Sequence, residues 1–434
     1  MNILFVHNAY QHFGGEDAVV ASEIALLRAR GHVVELYQRH NDELHALSPA
    51  TAALSALWSR RSAHELTTLC DALQPDLIHV HNTFPLISPS IYWAAARRPI
   101  PVVQTLHNFR LLCPQGTFLR NGAVCEDCLG KTPWRAVARK CYRASLPQSA
   151  VLAGMLGAHR LAGTYQRRIT RYIALTAFSR ERFIAGGLPA ERLRIKPNFV
   201  ESAAQPGAGT RSGALYVGRL SAEKGVDTLL AALRQGGRTP ITAIGAGPLA
   251  AEVADALDDG YLGFRPREEI MRKMRSAAFL VVPSTCLEQL PTTILEAFAC
   301  GLPVIASRLG ALAGIVQDGV TGRLFNAGDP ADLAATIAWA AAHGDEMRQM
   351  GRAARAEYEA KYTPSINYHL LLEIYNDAIA AVQGERHVAQ RSFGAGHLGL
   401  TRYPGTTPSH SCWPGARRAS PGRTMKSRLD DCTR

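Results

Sequence analysis

Residues 286–298 read CLEQLPTTILEAF, with Glu288 and Glu296 eight positions apart on either side of Pro291. On one continuous helix that spacing leaves the two side chains roughly 80° apart, without a shared face. Proline suits the first turn of a helix. The pattern therefore puts Glu288 on a loop and Glu296 in the opening turns of a helix, where both can face a ligand held over the helix start. Thr292 and Thr293, with their amides, form a helix N-terminus, a natural seat for phosphate. The run Thr293-Ile294-Leu295-Glu296 equally fits a capping box, in which Glu296 only satisfies a backbone N–H. Upstream, Arg219 and Lys224 stand five apart in RLSAEKG, just after an apolar run. A guanidinium fork and a mobile ammonium there can grip a diphosphate and neutralise it as it leaves. A solvated basic turn is the plain alternative. Two carboxylates across a cleft also suggest a glycosidase pair, but a glycosidase needs no basic grip one strand away.

Between these motifs, AIGAGPLA places Gly245, Gly247 and Ala250 in the G-x-G-x-x-A form of nicotinamide-binding folds. Pro248 follows the second glycine, and no acid ends the next strand, because Asp258 and Asp259 precede YLGF. A nicotinamide oxidoreductase is thus a remote alternative. The glycines are expected instead to let a nucleotide approach the backbone closely.

The elements that must carry these residues read as strands alternating with helices. NILFVH, HVVELYQ, PDLIHVHN, PIPVVQTLHN and RYIALT form one series; ALYVG, ITAIG, YLGF, FLVVPS, PVIAS and GRLF form another. Such alternation predicts two parallel α/β sheets, each covered on both faces. The expected organisation is a Rossmann-like domain over 1–196 with a cysteine-rich insertion at 111–145, and a Pro/Gly/Ser-rich linker over 197–211. A second Rossmann-like domain spans 212–365, a helix over 366–383 crosses back to the first, and a basic disordered tail covers 384–434. In open α/β sheets ligands bind beyond the carboxyl ends of the strands, where the motifs above lie. Net charge is +12, and residues 385–434, with nine Arg or Lys and three Asp or Glu, hold +6 of it. That tail, rich in Gly, Pro, Ser and Arg, reads as a solvated extension, and no nucleic-acid partner is expected. The N-terminal apolar run is too short for a signal peptide, and no run approaches the length of a membrane span. A cytoplasmic protein is the expectation.

In order, VGRLSAEKG, IGAGP, GF, Glu288, seven residues, Glu296, AFACGLPVIAS and GVTGRLF resemble the nucleotide-sugar-dependent glycosyltransferases of family 4, in a subgroup with a four-cysteine insertion. The resemblance covers residues 1 to about 383. It implies a GT-B fold, two Rossmann-like doubly wound domains facing across a cleft, and transfer with retention of configuration. It further implies that Arg219 and Lys224 bind the donor pyrophosphate, that Glu296 holds the ribose hydroxyls and that Glu288 contacts the transferred sugar. Leu290, Thr292 and Thr293 would hold sugar or phosphate, and Gly263 with Phe264 would lie near the base. Gly14 and Gly15, beside Glu16, match the family's glycine loop near the donor phosphates. His107 matches a histidine after a later strand of the first domain, with His79 and His81 as competitors. Many relatives carry glycines between the glutamates, where this chain has Gln289-Leu290-Pro291-Thr292. The implied acceptor is a carbohydrate or lipid-linked hydroxyl, in cell-surface polysaccharide or glycolipid assembly, and no cofactor is required for catalysis. A catalytically silent nucleotide-sugar-binding module is the alternative.

Four of the nine cysteines, Cys113, Cys125, Cys128 and Cys141, fall in one insertion, as a C-x2-C pair flanked at twelve and thirteen residues by single cysteines. In a cytoplasmic chain this spacing points to a structural four-thiolate zinc site, or else to free, redox-active thiols. Cys286 and Cys300 read as small packing residues. Downstream, apolar runs mixed with Arg160, Arg167, Arg168 and Arg171 fit either a peripheral contact with a membrane inner face or an ordinary packing helix.

Overall fold

The computed structural model describes the backbone of residues 1–11, 13–201, 211–235 and 239–395, with side chains as far as residue 384. The alternation of strands and helices is met by two parallel sheets. The first holds β1 (Asn2–Ala9), β2 (Val33–His40), β3 (Leu77–Asn82), β4 (Val102–Leu106), β7 (Arg171–Ala174) and β8 (Leu193–Ile195), in the order β2-β1-β3-β4-β7-β8. Between β4 and β7 the insertion adds the hairpin of β5 (Leu119–Arg120) and β6 (Ala123–Val124) and the short helix Trp134–Ala138. The second sheet is β10-β9-β11-β12-β13, from β9 (Ala214–Val217), β10 (Ile241–Ile244), β11 (Phe279–Val282), β12 (Val304–Ser307) and β13 (Gly322–Phe325). Every residue of β3, β4, β11 and β12 is buried, the signature of parallel strands covered on both faces. Edge strand β2 alternates instead. YLGF, expected as a strand, is not one: Tyr261 makes a single bridge to Ala243, and Gly263 turns the chain away at φ +67°.

One apolar cluster runs from Phe5 and Ile24 through Leu371 and Tyr375 to Leu280 and Phe298, so the two sheets share packing through the C-terminal helix. That helix is Pro364–Ala395, longer than the expected 366–383. The rest of the expected tail, 396–434, lies outside the described residues, as do Cys412 and Cys432. The helix returns to the first sheet through polar contacts. Asp377 takes paired bonds from Arg171 at 2.8 Å and one from Arg194 at 2.7 Å, and Asn367 donates to the Pro197 carbonyl at 2.7 Å. Among the described residues no helix is long and apolar enough to cross a membrane.

At the centre, Lys196 and Glu23 are both fully buried with their charged atoms 2.6 Å apart. Asn367 completes the ammonium's shell at 3.3 Å. Lys196 follows β8, Glu23 lies on the helix Gly15–Ala29, and Asn367 belongs to the C-terminal helix, so three distant segments meet at one ion pair. Removing one partner strands a buried charge, which costs far more than the intact pair is worth. Lys196→Met is therefore expected to lower unfolding free energy by about 3–5 kcal/mol in denaturant titration, and adding Glu23→Gln should restore part of it. A double variant no more stable than Lys196→Met would refute the pairing. Arg171 and Arg194 hold the Asp377 carboxyl down at about 2, from an ordinary 3.8. Its contribution is complete above the ordinary value and lost as pH falls through about 2. Asp377→Asn should thus flatten the acid limb of a stability–pH curve while leaving its shape near neutrality unchanged.

Candidate active site

Both sheets change strand order at a point that matters. In the first, β1 lies between β2 and β3; in the second, β9 lies between β10 and β11. A crevice opens beyond the carboxyl ends at such switch points. Gly14 and Gly15 follow β1, Arg219 follows β9, and Glu288 follows β11.

The turn after β9 is pressed onto the loop after β11. Gly225 has φ +72°, and a Cβ there would stand 1.7 Å from the Pro283 carbonyl oxygen, so only glycine fits. Thr285 ties the loops further, its amide donating to Glu223 O at 3.1 Å and its hydroxyl to Ala222 O at 3.2 Å. The result brings Lys224 Nζ to 2.5 Å from Glu288 Oε1, which also accepts from Ser284 Oγ at 2.9 Å. Burial works against the charge on Lys224, but Glu288 outweighs it and the ammonium titrates above its ordinary value. Arg219 stays exposed at the rim.

The helix Thr292–Ala299 begins with Pro291 as its N-cap and has no side-chain cap. Thr293 is its second residue, so the capping-box reading fails. Glu296 instead accepts from Arg267 Nε at 3.1 Å. Burial raises the Glu296 carboxyl, and Arg267 pulls the other way. The two glutamates thus keep separate basic partners, one on the loop and one on the helix. Between them Leu290 is sealed in the core, and Gln289 is 5% exposed with neither amide atom partnered among the described residues. A buried carboxamide in that state calls for a ligand or water. In the sequence Gln289 stands out only as a departure from glycine.

From the first sheet, Gly15 comes within reach of this helix start: a Cβ on it would lie 3.8 Å from Thr292 Oγ1. Gly14 N donates to Asp17 Oδ2 at 2.8 Å, and Asp17 Oδ1 is 2.8 Å from His7 Nε2. Burial pushes the neighbouring Glu16 carboxyl up to about 7 despite His7, and Tyr10 donates to it at 3.0 Å. Behind the loop, His107 Nε2 lies 2.8 Å from His81 Nδ1. Burial, with His7 and Lys196, drives His107 down to about 3, so the ring is a neutral hydrogen-bonding group. His79 is buried between Thr105 at 2.8 Å and the Tyr375 hydroxyl at 2.7 Å. Glu23, His79 and His81 offer three ligand atoms within 4.8 Å. The Lys196 ammonium on Glu23 and the partners already on His79 make this a polar core network instead of a metal centre. His7, Asp17, Glu23 and Lys196 carried no spacing signal; the one clue was a glutamate on the apolar face of EIALL.

The glycine triad has a structural cause. A Cβ on Gly245 would stand 1.9 Å from Gly218 O, and one on Gly247 2.3 Å from Leu220 O. The chain approaching these glycines is its own backbone, which removes the ground for a dinucleotide fingerprint. Gly245 N donates to Gly263 O at 2.9 Å, and Phe264 beyond it is 76% exposed.

The four insertion cysteines line one small cavity with Arg120, Arg135 and Arg139. Their sulfurs are not gathered within 4.8 Å as the Glu23 group is. Burial pushes Cys128 up to about 11 and raises Cys113 and Cys141, which opposes redox-active thiolate character. Cys286 and Cys300 are buried in packing. The helix Leu146–Leu161 packs Leu152, Met155 and Leu156 inward. Arg160 spends its guanidinium on the Lys131 and Leu111 carbonyls, Arg168 stacks on Trp93, and Arg171 pairs with Asp377. The ordinary packing helix is the better account.

Residues 14–198 match a model described as glycosyl transferase 4-like domain, and residues 211–343 one described as glycosyl transferases group 1. The amylovoran biosynthesis glycosyltransferase AmsK of Erwinia amylovora is 32% identical over 214 residues, 44% of this chain and 53% of that protein. The D-inositol 3-phosphate glycosyltransferase of Nocardia farcinica is 27% identical over 360 residues, 78% of this chain and 72% of that protein. The match to AmsK thus spans about half of that relative's length. Anabaena HepE, crystallised in complex with UDP, superposes with TM-score 0.60 at 19% identity, over 87% of this chain and all of its own. Sucrose-phosphate synthase from Thermosynechococcus elongatus gives 0.66 at 18% identity, over 88% and 99%. These likenesses establish the GT-B fold.

The close approach at Gly247 yields a direct test. Gly247→Ala should lower the melting temperature of the ligand-free protein by several degrees, because its Cβ would press the Leu220 carbonyl. An unchanged midpoint would restore a ligand-based reason for the glycine.

Proposed function

We propose that this chain, whose residues 14–198 and 211–343 match glycosyltransferase models, is a retaining glycosyltransferase, moving a sugar from a nucleoside-diphosphate-sugar to a hydroxyl acceptor in surface polysaccharide or glycolipid assembly. The observation that carries the reading is the convergence on the Thr292 helix start. Gly15 arrives there from one sheet, while the other brings the Lys224–Glu288 pair and the unpartnered Gln289 amide.

The donor diphosphate lies over the N-terminus of that helix, where amides and dipole favour anions. Lys224, with Arg219 at the rim, neutralises charge as the bond from the anomeric carbon to the phosphate oxygen breaks. Glu288 reads the transferred sugar and steers Lys224, Gln289 bonds a sugar hydroxyl, and Glu296 holds the ribose. Gly263 and Phe264 border the base. The acceptor oxygen forms its bond on the face the diphosphate leaves, and its proton passes to a phosphate oxygen. His107, uncharged, orients a hydroxyl beside the glycine loop. Glu16, neutral below about 7, spares the diphosphate a facing anion.

UDP is the first nucleotide to try, since HepE was also crystallised with UDP-glucose. One nucleoside diphosphate among UDP, GDP and ADP should raise the thermal midpoint, and Glu296→Ala should weaken that binding by about tenfold or more. No shift with any of them would sink the reading. With donor and acceptor supplied, Lys224→Ala should lower kcat by about 10²–10³; wild-type turnover would dismiss its leaving-group role. Diphosphate affinity should fall as pH rises through about 7, where Glu16 ionises. Glu16→Gln should flatten that profile, and a slope unchanged in the variant would assign it elsewhere.

A further inference from the structure

The insertion between β4 and β7 has little regular structure to hold it. Its strands are two residues long and its helix Trp134–Ala138 five. It also carries Phe118, Asn121, Lys140, Arg143 and Ala144, five of the eight non-glycine residues with positive φ among those described. Such backbone persists only where surroundings over-determine it. Arg160 clamps the Lys131 and Leu111 carbonyls. The insertion also gathers Cys113, Cys125, Cys128 and Cys141 around one cavity.

That loop reaches the second domain. Thr117 O accepts from Leu287 N at 3.1 Å. Leu287 is buried in the first domain's cluster with Phe109, Leu112, Cys113 and Phe118, although it belongs to the loop after β11. Its neighbour in the chain is Glu288.

We propose that the four cysteines bind one structural Zn²⁺, and that this ion fixes the 113–118 loop on which Leu287 docks, so that it positions Glu288. Four thiolates around Zn²⁺ make a closed site with a net negative charge. Arg120, Arg135 and Arg139 line the same cavity and balance it, Arg139 approaching Cys125 Sγ at 4.0 Å and pairing with Asp127. Binding releases the thiol protons and draws the sulfurs onto one centre. The metal half of the proposal is independent of the transferase reading; the positioning half rests on it only for what Glu288 does.

The test is elemental analysis of the full chain purified under reducing conditions, then incubated with zinc and desalted. About one zinc per chain is expected, and Cys125→Ser/Cys128→Ser should reduce it to background. Should that variant not fold, the wild-type chain is titrated with a mercurial, which should release zinc in step with modification of the four thiols. A metal-free chain whose four thiols react freely, or one holding a disulfide among them, overturns the site. Hydrogen exchange then tests the coupling without any substrate. Stripping the metal should speed exchange of the Leu287 amide by tenfold or more, while the β9 and β12 amides hold. Zinc present but exchange at Leu287 unchanged on stripping overturns the positioning role.

Discussion

A lysine ammonium sealed from water against an equally sealed glutamate organises this molecule. Lys196 and Glu23 are 173 residues apart, and Asn367 is as far again along the chain. Polar groups crowd around the pair: Asn367 meets the ammonium, Tyr375 and Thr105 hold His79, His107 holds His81, and His81 Nε2 lies 3.6 Å from the second Glu23 oxygen. A desolvated pair of this kind is weak as a source of net stability and strong as a specification of geometry, since arrangements that separate its members leave a bare charge in the core. It ties the return of the C-terminal helix to the placement of the glycine-loop helix, and so to the edge where His107 and Gly14 lie.

The second domain depends on steric fit in place of charge. At Gly225, Gly245 and Gly247 backbone meets backbone more closely than any side chain permits. These approaches nest the turn after β9 between the ends of β10 and β11, and Lys224 is thereby delivered to Glu288. Charge is least settled around the Thr292 helix start: burial raises Glu296 against the pull of Arg267, and Gln289 is buried without a partner among the described residues.

Much of this was legible in the chain. Uninterrupted apolar runs alternating with helical stretches announce two covered parallel sheets, and the polar residues after each run mark their carboxyl edges. The proline between Glu288 and Glu296 correctly separates a loop from a helix. Local pattern misled where a neighbour took the role. Pro291 occupies the cap position, so Thr293 enters the helix and Glu296 turns to Arg267, 29 residues away. YLGF has strand composition, yet Gly263 bends it off after one bridge. The Lys196–Glu23 pair and the seat of Leu287 were not legible, because contacts between remote single residues leave no period to read. The arginines after the insertion showed their charge but not that carbonyls, Trp93 and Asp377 would consume it.

Leu287 and Glu288 are adjacent in the chain yet answer to different bodies, one to the core of the first domain and the other to the lysine of the second. Any separation of the two sheets has to withdraw that leucine from the first domain's apolar cluster, exposing a side chain worth about 2 kcal/mol when buried. By itself that biases the population roughly thirtyfold toward the approximated state. The loop that carries Glu288 in one domain is thus held in part by a leucine packed in the core of the other.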